Sequence, residues 1–169
     1  MRAAAPPETA ASDIEKSPDS SSRRTTNVYQ YQDMVHLVLY DGVCGLCNRL
    51  TQFLLRHDHR RVFVFASLQS EIGRAMVRQF GGDPEDLSSF HVIADYQTTA
   101  CRPFNRSDAV LFVAGQLRWP WKGAVAARIV PKRVRNRAYD LVAGTRYRVF
   151  GHYDQCPIPA PEFRNRFVD

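Results

Sequence analysis

The chain has 169 residues, which at roughly 100 to 200 residues per domain argues for one folded domain with room for a tail. With 44% hydrophobic and 24% charged residues it is not disordered throughout, and its longest apolar run, Ala109 to Ala114, stops at six residues, far short of the roughly 18 a membrane-spanning helix needs. A net charge of +6 leaves an acidic partner or nucleic acid open, and four cysteines are too few for a disulfide-stapled scaffold in a chain long enough to bury a core.

The first 33 residues are rich in Ala, Pro, Ser, Thr and charge, so they bury too little apolar surface to offset ordering entropy and read as a disordered tail. Pro6, Pro7 and Glu8 interrupt any secretory apolar core, and Glu8, Asp13, Glu15 and Asp19 disfavour a transit peptide. The default expectation is the cytoplasm, where paired cysteines serve catalysis or metal binding more often than structure.

The folded domain, expected over residues 34–169, opens with Val35 to Tyr40, a mostly apolar run ended by Asp41-Gly42 that fits a strand buried on both faces. Leu46, Leu50, Phe53 and Leu54 then recur at helical spacing. Val62 to Ala66 reads as a second strand and Ile72 to Phe80 as a second helix stopped by Gly81-Gly82. Asp83-Pro84-Glu85 has the makings of a short helical turn, and Phe90 to Ala94 of a third strand. Ser107 opens a helix reaching about Gly115, and Pro131 a longer one reaching about Arg148. This order predicts an α/β domain with at least one parallel crossover pair. It fixes no strand around Thr98 to Cys101.

Cys44-Gly45-Leu46-Cys47 falls where the first strand meets the first helix. Thiolates are the attacking species, and a helix N-terminus lowers a thiol pKa from about 8.5 toward roughly 3.5 to 7.5 through its unpaired N–H groups and dipole. Cys44, at the start of the helix, is the expected nucleophile, and Cys47, one turn on and more shielded, the resolving thiol. Zinc is disfavoured because Cys101 and Cys156 do not make a second pair, and His57 and His59 do not share a helix face. Asn48 stands where haem attachment needs His. Asp41 has two readings: a buried carboxylate taking the Cys47 proton during resolution, or a residue that shapes the strand-to-helix turn.

Tyr40-Asp41-Gly42-Val43-Cys44-Gly45-Leu46-Cys47-Asn48 resembles the signature of the DCC family of thiol-disulfide oxidoreductases, named for Asp-x-x-Cys-x-x-Cys. Arg106 to Val110, Val130-Pro131, Asn136 to Asp140 and Arg146 to Gly151 resemble its later blocks. The resemblance implies a thioredoxin-like fold with additional C-terminal helices, Cys44 as nucleophile and Cys47 as resolving cysteine. It implies no metal or organic cofactor. Its partners are a disulfide-containing protein or small-thiol substrate and an external thiol or reductase as electron donor. Leu87-Ser88-Ser89 precede the third strand, where thioredoxins carry a proline.

From Arg118 to Arg148 nine basic residues accompany one acid, Asp140. No nucleic-acid motif goes with them, and Tyr139, Ala143, Tyr147 and Phe150 share a helix face directed at a core, so the run reads as a solvated face. Trp119-Pro120-Trp121 reads as packing between helices. The alternative to an enzyme is a noncatalytic interaction module whose basic C-terminal surface binds an acidic partner or nucleic acid.

Overall fold

In the computed structural model, residues 35–86, 89–154 and 160–168 are described, so the N-terminal tail and Cys156 lie outside them. Strand β1 (His36–Tyr40) is followed by helix α1 (Gly45–His57), strand β2 (Phe63–Ser67) and helix α2 (Glu71–Gln79). Strands β3 (His91–Ala94) and β4 (Arg102–Asn105) then lead into helix α3 (Arg106–Gln116), a 3-10 segment (Trp121–Ile129), helix α4 (Lys132–Phe150) and a second 3-10 segment (Pro161–Arg166). The sheet order is β2-β1-β3-β4, with β1 and β2 parallel and the other two pairings antiparallel. This mixed four-stranded sheet with helices is consistent with a thioredoxin-like α/β fold.

Every residue of β1 is buried because the strand is covered on both sides. Val38 and Tyr40 join Leu54 and Leu55 of α1, Phe63 and Phe65 of β2, and Ala109 and Val113 of α3 in one core. Leu37 and Leu39 join Ala66, Val77 of α2 and Ile93 in the other. Opposite faces follow from the two-residue side-chain period of a strand, and they account for an apolar run without alternation.

The strand missing from the sequence reading is β4, which carries Pro103 and is mostly exposed. Proline donates nothing to a ladder and is tolerated at a sheet edge, where β4 sits. Asp83-Pro84-Glu85 forms a turn closed by Asp86 N–H donating to Asp83 O at 3.1 Å rather than a helix. Of the two tryptophans, Trp121 packs edge-on against Phe53, 4.8 Å between centroids, whereas Trp119 is 80% exposed.

At the C-terminal end of α1, Asp58 accepts hydrogen bonds from Val62 N (3.2 Å) and Phe63 N (3.0 Å) and pairs with Arg166, which also donates to Phe63 O. Both partners are buried, so removing one strands a charge. Arg166→Met is expected to lower stability by about 3 to 5 kcal/mol in urea denaturation, against a small change at exposed Arg164.

Candidate active site

Cys44 is the N-cap of α1, in extended conformation, and its Sγ accepts the Cys47 backbone N–H at 3.4 Å. A sulfur here thus takes the place of the Ser, Thr or Asp oxygen that usually caps a helix. Asn48 fixes the loop by donating from Nδ2 to Gly42 O (2.7 Å) and Cys44 O (3.1 Å). Both cysteines carry free thiols.

The chain returns over this helix end from α4. Gly151 has φ +80°, a left-handed conformation natural to glycine, and it turns the chain off the end of α4. Gly151 O then accepts Gly45 N–H at 3.1 Å, Tyr153 N–H donates to Val43 O at 2.8 Å, and His152 pairs with Cys44 as an isolated antiparallel bridge. A Cβ on Gly45 would lie 2.1 Å from Phe150 O, so only glycine permits this approach. As a result Cys44 is 0% exposed while Cys47 is half-buried. This order of exposure reverses the sequence expectation that Cys47 is the more shielded, and the cause is the return segment.

Asp41 ends β1 at 1% exposure, and four donors surround its carboxylate. Oδ1 accepts Val43 N–H (3.2 Å) and Gln69 Nε2 (2.8 Å); Oδ2 accepts Arg146 Nη2 (3.3 Å) and the Tyr147 hydroxyl. Arg146 is itself buried. Burial opposes its charge most strongly, but the hydrogen bond to Tyr147 and the electrostatic influence of Tyr147, Cys47 and Cys44 outweigh that and hold its pKa above the usual value. The Cys47 thiol is pushed up to about 12, first by burial, then by the charge of Cys44 and the hydrogen bond between the two sulfurs. The Asp41 backbone hydrogen bond partly counters this shift, whereas the Asp41 charge adds to it.

Beside Cys47 lies a cavity of about 450 Å³ between α1, α3 and α4, walled mainly by Leu46, Leu50, Leu111, Val142 and Ala143. Asp41 and Arg146 also reach it.

Residues 38–152 match the family described as DCC1-like thiol-disulfide oxidoreductase. The chain belongs to the DCC family. Among its relatives, the uncharacterized protein YuxK of Bacillus subtilis is 36% identical over 132 residues, 78% of this chain and 93% of that protein. A DCC family protein of Arabidopsis thaliana, named as chloroplastic, is 32% identical over 136 residues, 80% of this chain and 76% of that one. No solved structure matches. The DCC match runs from within β1 to His152, so it takes in both the thiol pair and the segment covering it.

The three residues singled out from the DCC sequence, Asp41, Cys44 and Cys47, do come together. Sequence reasoning assigned Arg146, Tyr147 and Gln69 no part in the site, although Arg146 and Tyr147 fall in a block that resembles the family. Arg146 had a usable signal: it lies seven residues after Tyr139, on the face that Tyr139 and Ala143 direct inward, so a cation there needs a buried counter-charge. Cys101 is half-buried against the α2 side of the sheet and takes no part. In Cys44→Ser two of the causes that raise the Cys47 thiol are gone while its burial remains, so its titration, followed by ultraviolet thiolate absorbance, is expected to move down from about 12.

Proposed function

We propose that this DCC protein is a disulfide reductase that exchanges disulfides with protein or small-thiol substrates through Cys44 and Cys47. The observation that carries this reading is the pair itself: one sulfur caps a helix and receives the other cysteine's N–H, with a buried guanidinium whose charge both sulfurs favour. A developing thiolate is stabilised by the helix end and by Arg146 together. No metal or organic cofactor enters the exchange. Electrons come from an external thiol or reductase, and a reducing compartment such as the cytoplasm suits that supply.

Asp41 works in this scheme as a positioning residue. With four donors on its carboxylate, taking a proton from Cys47 would displace one of them, so its part is to hold Arg146 and Tyr147 beside the sulfurs and, through Val43 N–H, to set the turn. The proposed domain begins near Met34.

A noncatalytic module acting through the basic C-terminal surface draws less support. Lys132 and Arg135 are spent on Asp108 at 2.6 and 3.0 Å, and Arg106 reaches Asp140 at 3.8 Å. Asp108 is held below its usual pKa, first by its hydrogen bond to Lys132 and despite opposing burial, which is the mark of a carboxylate in use.

An insulin-reduction assay with a thiol donor tests the assignment. Cys44→Ser and Cys47→Ser are each expected to bring turnover down to the uncatalysed rate, and undiminished activity in either ends the catalytic reading. Asp41→Asn removes a charge that raises the Cys47 thiol, so the pH–rate profile of the variant is expected to move toward lower pH. An unmoved profile reduces Asp41 to shaping the turn.

A further inference from the structure

The two sulfurs face different surroundings. Cys44 is sealed beneath Gly151 to Tyr153 and 0% exposed. Cys47 stands in the wall of the cavity between α1, α3 and α4. That cavity is lined by Leu46, Leu50, Leu111, Val142 and Ala143, and its two cations are already paired, Arg146 with Asp41 at 3.3 Å and Arg135 with Asp108 at 3.0 Å. It therefore offers an apolar volume and one thiol, without an uncompensated charge for an ionic group.

We infer that Cys47, not Cys44, is the sulfur that meets the substrate, and that the substrate is a disulfide with a bulky, uncharged apolar group filling this cavity. The inference rests on the thiol-disulfide reading above and adds to it an order of attack and a substrate class.

The chemistry balances without exposing Cys44. Starting from the reduced pair carrying one proton between its two sulfurs, that proton comes to rest on Cys44 and leaves Cys47 as the attacking thiolate. Cys47 Sγ attacks one sulfur of R–S–S–R′; the Cys47–SR bond forms, the substrate S–S bond breaks, and R′S⁻ leaves and takes the proton held by Cys44. The regenerated Cys44 thiolate attacks Cys47 Sγ, forming the intramolecular disulfide and expelling RS⁻, which is protonated by water. The protein pair is oxidised by two electrons and the substrate reduced by two. Cys44 reacts only with its neighbour, so complete burial does not hinder it. In reverse, a substrate thiol attacks the accessible Cys47 sulfur and the capped, charge-stabilised Cys44 is the leaving group, the arrangement that speeds thiol exchange.

The test mixes reduced protein with dithiodipyridine, aromatic and uncharged, or with glutathione disulfide, polar and charged. Single turnovers are quenched in acid and the adducts mapped by peptide mass spectrometry, with each rate divided by that of free glutathione attacking the same disulfide. The expected result places the first adduct on Cys47 and a normalised rate at least about tenfold higher for the aromatic disulfide, the lower end of what an apolar pocket discriminates. Cys44→Ser is expected to retain the adduct on Cys47, Cys47→Ser to form none on Cys44, and Ala143→Phe, which fills the cavity, to remove the aromatic preference. A first adduct on Cys44 or on any other cysteine overturns the order of attack. Equal normalised rates, or a preference indifferent to Ala143→Phe, overturn the substrate class. Mapping on the unsubstituted protein keeps the order of attack testable if a variant does not fold. A protein that reacts with neither disulfide removes the thiol-disulfide reading itself.

Discussion

The ion pair between Asp41 and Arg146 joins two residues 105 positions apart in the chain, and the site's geometry depends on it. It fastens the end of β1 to the last turns of α4. From there the chain turns at Gly151 and runs across the start of α1, hiding one cysteine and leaving the other beside a cavity. A buried pair of charges loses much of its Coulomb energy to desolvation, so it is weak evidence for stability unless its remaining lone pairs are occupied. Here they are, by Val43, Gln69 and Tyr147. What such a pair supplies is one defined arrangement, because the alternative packings leave a charge stranded.

The same device recurs at the other end of α1. Asp58 follows the helix and pairs with Arg166 across 108 residues. One helix is thus flanked by two aspartates, each engaged by an arginine from the C-terminal part of the chain. The pairing explains why an arginine-rich C-terminal region is not merely a solvated surface: Arg146 and Arg166 are among the buried residues, while their neighbours Arg148 and Arg164 are exposed.

Most of the architecture was legible because it rests on local patterns. β1 showed as an unbroken apolar run, α1 as a three-to-four-residue repeat after Asp41-Gly42, and α4 as a helix opened by Pro131. β4 was not legible, since an edge strand of Arg102, Pro103, Phe104 and Asn105 has a single aromatic between polar residues and a proline, too little to show a strand pattern. The site was half legible. Cys44 and Cys47 announce their chemistry by spacing, but which is open to solvent depends on backbone more than a hundred residues later, and no local pattern encodes that. Arg146 was hidden differently, as one arginine within a basic run, distinguished only by the face it occupies.

Because Arg146 and the covering segment lie more than a hundred residues after Asp41 and Cys44, the site can be completed only once the ribosome has made α4 and the turn at Gly151. The sheet up to β4 and helix α1 are synthesised long before α4 emerges, and domains settle only when their distant contacts become available. Until then Cys44 has neither its cover nor a nearby guanidinium, and two adjacent thiols stand open to whatever oxidant or metal the nascent chain meets. The long-range clasp that shapes the finished site also sets a window in each molecule's synthesis during which its cysteines depend on the surrounding redox environment for protection.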